Sequence, residues 1–211
     1  MSVSDSRASY PVERSEEHFR GAVVRVRTDA VRMASGAVVD RDVVVHPGAV
    51  AVIALDDEER VLLVQQYRHC PGRLLWEPPA GLLDVPGEPA HETAGRELYE
   101  EAGYRARDWS VLVDTFNSPG MSDEAMRIYL ARDLTPVAEG DRFAGQDEEA
   151  DMPIRWLPLD EAVAAVLAGA LHNPATVAGV LAAAHARAAG YRGLRPADVA
   201  WPERPTGILG S

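Results

Sequence analysis

The sequence predicts an α/β sandwich around a mixed sheet, preceded by a small N-terminal β-sheet. Three observations lead there. Valine-rich strand patterns fill the early chain, a single helical pattern interrupts them near the middle, and two alanine-rich helical patterns close it. Strands, one central helix, further strands and terminal helices, in that order, suit layers of helix packed on a sheet.

Taken in order, residues 1 to about 18 are polar and read as a flexible arm. From Gly21 to His46 the chain alternates, broken at Ser35-Gly36, which predicts a hairpin or small sheet. Strands follow at Ala49–Leu55 and Val61–Tyr67, joined by the acidic turn Asp56 to Glu59. Pro78-Pro79-Ala80-Gly81 and Asp84 to Gly87 punctuate a loop into a helix over Glu88–Ala102, which Gly103 ends. Trp109–Phe116, Met126–Ala131 and Ile154–Leu157 read as strands, with a polar, acid-rich loop over Thr135–Asp151. Helical patterns cover Leu159–Leu171 and Ala175–Ala189, the second opening after Asn173-Pro174. The expected division is an arm and β-sheet over 1–46, a main domain over 47–190 and a tail over 191–211.

Composition narrows the chemistry. The net charge of −12 argues against a nucleic-acid binder, which needs a basic face to neutralise phosphates. A small phosphorylated substrate stays open, because bound cations offset the repulsion from an acidic site. All 21 basic residues are arginine, so chemistry that needs a lysine amine is excluded. Cys70 stands alone, which rules out an internal disulfide and a cysteine zinc site. No apolar run approaches the ~18 residues of a membrane span, and the polar N-terminus lacks a signal-peptide pattern. A cytoplasmic protein is expected.

The informative segment is Gly81 to Tyr104. On a helix Glu97 and Glu101 lie one turn apart with Glu100 beside them, next to an apolar stripe of Ala90, Ala94, Leu98 and Ala102. Like charges at that spacing cost an isolated helix roughly 0.2–0.5 kcal/mol per pair. A hard cation reverses the sign, since Mg²⁺ and Mn²⁺ prefer oxygen ligands. Arg96, one turn before Glu100, can hold a carboxylate in place.

From Glu88 onward this segment resembles the signature of the Nudix hydrolases. Seven residues separate Glu88 from Arg96, and Glu97, Leu98, Glu100, Glu101, Gly103 and Tyr104 then fall at the signature's positions. One departure stands out: six residues, not five, separate Gly81 from Glu88. The resemblance implies a Nudix-type α/β/α sandwich and a catalytic Mg²⁺, with Mn²⁺ as an alternative. It implies metal ligation by Glu97, Glu101 and the carbonyl of Ala80, with Glu100 as a further ligand or support. Gly81, Glu88, Arg96 and Gly103 are implied to be structural.

Outside that box, Pro119 lies 15 residues beyond Tyr104, followed by Gly120, in a loop similar to that of the ADP-ribose pyrophosphatase group. The segments Gln65–His69, with Arg68, and Leu74–Asp84, with Glu77, resemble the same group. The likeness implies that Arg68, Glu77, Pro119 and Gly120 bind substrate, and that ADP-ribose is cut to AMP and ribose 5-phosphate. Other nucleoside diphosphate sugars, a dinucleotide, or a non-catalytic ADP-ribose sensor are the alternatives. Within the group a mobile acidic loop supplies the base; here it offers Glu148 first and Glu149 next, with Asp147 and Asp151 nearby. Trp76, Trp109 and Trp156 are expected in the core. A two-stranded hairpin is marginal alone in water, so the N-terminal pattern must pair with or pack on something larger, either its own core or a second copy. The resemblance to dimeric ADP-ribose hydrolases implies the second, a homodimer.

Overall fold

The computed structural model describes residues 3–141, 143 and 152–205. The chain forms two compact units, one from the N-terminal residues up to Pro47 with Ser118–Glu124, the other from Gly48–Asn117 with Ala125–Arg204.

The first unit is an antiparallel sheet of β1 (Val12–Arg20), β2 (Arg25–Arg32) and β3 (Val38–Val45), in that spatial order. This is the small N-terminal sheet expected, but its first strand, β1, comes from residues predicted as a flexible arm. Every residue of β1 is exposed, so it carries no buried-face alternation for a sequence pattern to reveal. Cross-strand polar contacts support the main-chain ladder instead: Ser15 Oγ donates to Asp29 at 2.6 Å, and Arg32 pairs with Glu13. The segment Ser118–Glu124 joins this unit through β3, where Val44 N–H donates to the Met121 carbonyl at 2.7 Å. His46 N–H donates to Asp123 Oδ1 at 2.8 Å beside it.

The second unit contains β4 (Ala49–Ala54), β5 (Arg60–Arg68), β6 (Arg73–Glu77), β7 (Ala80–Leu82), α1 (Ala90–Ala102), β8 (Tyr104–Phe116) and β9 (Ala125–Pro136). It continues with β10 (Ile154–Pro158), α2 (Leu159–Leu167), α3 (Pro174–Ala188) and the short β11 (Arg195–Pro196). One sheet runs β11-β8-β9-β4-β7 and the other β10-β5-β6. Within the larger sheet, among the described residues, β4 and β9 pair in parallel and the other pairs are antiparallel, so it is mixed, as predicted.

Strand β4 is buried throughout, and its period-2 geometry divides it between two cores. Ala49, Ala51 and Ile53 face a cluster with Leu159, Ala162, Ala175, Val180 and Ala183 of α2 and α3. Val50, Val52 and Ala54 face the opposite cluster with Ala94, Leu98 and Ala102 of α1. Helices therefore cover both faces, which makes an α/β/α sandwich. Helix α3 sits close because Gly179 has no side chain: a Cβ there would lie 2.6 Å from Ile53 Cδ1. Asn173 caps that helix by accepting from Thr176 N–H at 3.0 Å, and Thr176 Oγ1 donates to the Trp76 carbonyl at 2.9 Å.

Several boundaries differ from expectation. The stretch predicted as a loop before the helix contains β7, whose three residues pair with β4 and leave little room for a strand pattern. Strands β8 and β9 extend each other as a long antiparallel pair, so β9 runs into the region expected to be loop. Helix α2 stops at Leu167, followed by Gly169 at φ 69°. The tail expected over 191–211 is not separate up to Arg204: β11 pairs with β8, and Ala197, Val199 and Trp201 pack on the α1-side core. The tail's packing is carried by single side chains rather than by a periodic face.

Candidate active site

The site forms where β6 and β7 deliver the chain beneath α1. Pro78 and Pro79 separate these short strands, and Val52 N–H binds the Pro79 carbonyl at 2.8 Å. Ala80 and Gly81 are thereby fixed against β4, opposite Ala51 and Val50. Helix α1 starts after Pro89, whose extended φ and ψ set the entry angle but whose side chain offers no cap. It ends at Gly103, where φ 68° lets the N–H reach back to the Leu98 and Tyr99 carbonyls.

Along α1 the apolar stripe is seated as its spacing requires, with Ala94 and Leu98 fully buried and Ala102 nearly so. Glu97 lies on the edge of that stripe and is itself only 8% exposed. Its carboxylate rests over β7, in space that a Cβ at Gly81 would occupy. One turn on, Glu101 Oε2 accepts the Ala80 N–H at 3.0 Å. Two helix carboxylates thus converge on the same two residues of β7.

Arg96 organises the acidic side. Its Nε and Nη2 each lie 3.2 Å from a Glu88 carboxylate oxygen, while Nη1 donates to Glu97 Oε1 at 2.7 Å and to Glu100 Oε2 at 3.0 Å. Burial would pull the Arg96 guanidinium down, but Glu88, Glu97 and Glu100 outweigh it and hold the group above its ordinary value. The hydrogen bond from Arg96 holds the Glu88 carboxyl below its ordinary value, against burial and with help from Thr93 Oγ1 at 2.8 Å.

Among the described residues no three His, Cys, Asp or Glu side chains stand together as a chelating group. The donor set nevertheless fits a hard divalent cation. Glu97, Glu100 and Glu101 put three carboxylates on adjoining turns, with one arginine to offset them, beside a glycine whose missing side chain makes room for a carboxylate.

The other predicted residues separate into two groups. In the second unit Glu77 is 2% exposed and takes Arg68 through Nε at 3.0 and 3.1 Å and Nη2 at 2.6 Å. Glu77 lies opposite Val64 in the β5–β6 pairing, so it shares the sheet face that packs toward α1. Pro119 and Gly120 belong to the first unit, in a turn closed by Met121 N–H to the Ser118 carbonyl at 3.0 Å. Glu148 and Glu149, with Asp147 and Asp151, lie outside the described residues. Trp76 packs on the α2–α3 core, and Trp109 and Trp156 on the α1 core.

Two features went unread in the sequence. Arg127, only 1% exposed in β9, makes a two-pronged bond to its cross-strand partner Asp114 at 2.8 and 3.1 Å. The signal was available, since a charge inside the apolar run of β9 demands a buried partner. Tyr99 Oη donates to the Asp141 carbonyl at 2.7 Å, and nothing local in the sequence announces that contact.

Comparison with known proteins bears on the family and the fold. The family described as "NUDIX domain" matches residues 45–177. An "ADP-ribose pyrophosphatase" of Mycobacterium tuberculosis is 50% identical over 192 residues, covering 91% of each chain. A "Methanol dehydrogenase activator" of Bacillus methanolicus is 36% identical over 167 residues, 79% of this chain and 88% of that one. Among solved structures, one titled "Crystal structure of ADP compounds hydrolase" superposes with TM-score 0.72 at 23% identity, over 89% of this chain and 99% of that one. A glutamate helix seated over Ala80–Gly81, inside a domain that matches along most of its length, means that this chain belongs to the Nudix family of hydrolases.

Proposed function

We propose that this protein hydrolyses the diphosphate bond of ADP-ribose, giving AMP and ribose 5-phosphate, with Mg²⁺ as the cofactor and Mn²⁺ able to replace it. The observation that carries the reading is the convergence of Glu97 and Glu101 on Ala80–Gly81. Similarity over 91% of the chain to an ADP-ribose pyrophosphatase supports the choice of substrate.

In this reading Glu97, Glu101 and the Ala80 carbonyl hold the cation, and Glu100 assists. A bound divalent cation supplies charge neutralisation on the diphosphate and acidifies a water molecule. Arg96 restrains the glutamates between turnovers, and its own position is set by Glu88. Arg68 is anchored on buried Glu77 yet keeps 43% of its side chain exposed, which suits a guanidinium that also meets a phosphate or the adenine. Pro119 and Gly120 contact the substrate from their own loop. A loop carboxylate, Glu148 in first place and Glu149 next, takes a proton from water as its oxygen attacks phosphorus and the bridging P–O bond breaks.

The working unit is a homodimer in the cytoplasm, with small nucleotide sugars and not nucleic acid or membrane as partners. Exposed Val12, Phe19, Val23 and Val38 on the N-terminal unit support a protein contact there. Among the described residues, no helix is long and apolar enough to cross a membrane.

The test is a side-by-side kcat/KM for ADP-ribose, GDP-mannose, ADP-glucose and NADH with Mg²⁺, reading AMP release. ADP-ribose is expected to lead. Another substrate ahead by about tenfold, a difference of ~1.4 kcal/mol in transition-state binding, would overturn the substrate assignment. No turnover of any would overturn the enzymatic reading as well.

A further inference from the structure

We propose that Arg204, near the C-terminus, is a positioning residue for the glutamate helix and acts through Glu88. The inference rests on the reading of Glu97 and Glu101 as metal ligands.

The Glu88 carboxylate is held locally, by Thr93 Oγ1 at 2.8 Å and by Arg96, whereas its backbone leans on an exposed loop. The residue precedes the helix, which begins at Ala90, and it follows the exposed stretch Asp84 to Gly87. That stretch belongs to a connection one residue longer than the signature spacing. Within it, the Glu88 N–H reaches the Val85 carbonyl at 3.2 Å, a bond internal to the exposed loop. Yet Glu88 has a demanding task, since its carboxylate holds two nitrogens of Arg96. The remaining nitrogen of Arg96 lies on Glu97 and Glu100. A Glu88 that drifts would release the guanidinium onto those two carboxylates, where it competes with a cation for the same oxygens.

The C-terminal segment adds a restraint on that backbone. Arg204 Nη1 donates to the Glu88 carbonyl at 3.1 Å, across 116 residues of chain. Arg204 is itself delivered by a segment fixed at successive points. Arg195 pairs with Val111 of β8 and donates to Asp114 at 2.7 Å. The Val199 carbonyl accepts from buried Arg127 at 2.8 Å, and the Trp201 ring lies under that guanidinium at 4.8 Å. Arg204 N–H then closes a turn on the Trp201 carbonyl at 3.2 Å. The buried Arg127–Asp114 pair therefore positions the tail, the tail positions Glu88, and Glu88 sets how Arg96 is shared among the glutamates.

The full-length protein with Arg204→Met and with Arg204→Lys tests the proposal, since methionine removes the donor and lysine keeps one. Two measurements separate positioning from simple stability. The first is hydrogen exchange of the Glu88–Arg96 amides without added metal. The second is Mn²⁺ affinity from the electron paramagnetic resonance signal of the free ion, with no substrate. Arg204→Met is expected to speed exchange across that segment. It should also weaken Mn²⁺ binding on the order of tenfold, the lower end for a residue acting through a ligand's support. Arg204→Lys should recover part of both, and circular dichroism should stay that of the parent. Exchange at the parent rate overturns the proposal, as does faster exchange with unchanged Mn²⁺ affinity, which would make the contact purely structural. Glu97→Gln in the otherwise unchanged protein is the separate control. If it leaves Mn²⁺ affinity intact, the metal assignment itself is wrong and this proposal falls with it, whatever the Arg204 variants do.

Discussion

The Glu97 carboxylate lies in the space that any side chain at position 81 would need. Gly81 does not adopt a left-handed φ, so its backbone would accept another residue. The demand for glycine comes from the carboxylate above it. Gly81→Ala is therefore expected to displace Glu97 and lower kcat by at least about tenfold, while the overpacking costs ~1–3 kcal/mol of stability. Steady-state rates beside a denaturant titration check this, and a parent-like kcat would show that the Glu97 position is unimportant.

Glu97→Gln and Glu101→Gln keep size and helix propensity but remove a charged oxygen donor. Each is expected to reduce turnover by orders of magnitude with Mg²⁺ while circular dichroism stays unchanged. Glu101→Gln retains an acceptor for the Ala80 N–H, so a collapse of β7 would not explain its loss. Near-full activity in both variants would remove the metal assignment.

The glutamate helix was legible because its information is local. The seven-residue step from Glu88 to Arg96 and the Glu97, Glu100, Glu101 spacing act within one element, and the buried stripe of Ala94, Leu98 and Ala102 follows from the 3.6-residue period. Strand β4 was equally plain, being apolar at every position because helices cover both faces. By contrast β1 is wholly exposed and held by backbone pairing, which leaves no periodic trace. The attachment of the C-terminal segment leaves no such trace either. Pro and Gly suppress both periods there, and its attachment depends on Arg127, Val199 and Trp201, which are far apart in sequence.

Acid should weaken the fold through Glu88 and Asp114. Arg96 holds the Glu88 carboxyl below its ordinary value of 4.5. Arg127 and Arg195 outweigh burial to hold Asp114 below 3.8. A carboxylate with a depressed folded value binds fewer protons than in the unfolded chain, so its contribution is complete above the ordinary value. That contribution disappears as pH falls through the lowered one. Melting temperature should thus drop steeply below about pH 4.5, and Glu88→Gln should flatten part of that slope. An unchanged slope in the variant would exclude Glu88 as a source.

The Arg127–Asp114 pair makes a second, independent stability prediction. Arg127→Met leaves Asp114 with Arg195 alone on an exposed edge and frees the Val199 carbonyl. Breaking one side of a buried pair costs ~3–5 kcal/mol, more than replacing both sides with apolar groups. Asp114→Leu combined with Arg127→Met should therefore recover part of the loss in urea denaturation. If the double variant is less stable than the sum of the two single variants, the pair is not the buried unit described.

The remaining question is which group takes the proton from water. The helix glutamates are already engaged: Glu97 and Glu100 with Arg96, and Glu101 with the Ala80 N–H. A carboxylate that serves as base needs an oxygen free to meet water, which favours one from outside the helix. The acidic sequence after Asp141 supplies candidates in Asp147, Glu148, Glu149 and Asp151, all outside the described residues. Asp141, which precedes this sequence, is tied to the glutamate helix by its carbonyl, which accepts from Tyr99 Oη at 2.7 Å. Glu148→Gln is expected to lower kcat ~10²–10⁴-fold, the usual contribution of a positioned base. Mn²⁺ affinity should hold if Glu97 and Glu101 are the ligands, as proposed, and KM for ADP-ribose should change far less than kcat. Glu149→Gln should cost much less. The opposite ranking would transfer the role to Glu149, and small effects from both would place the base outside this pair.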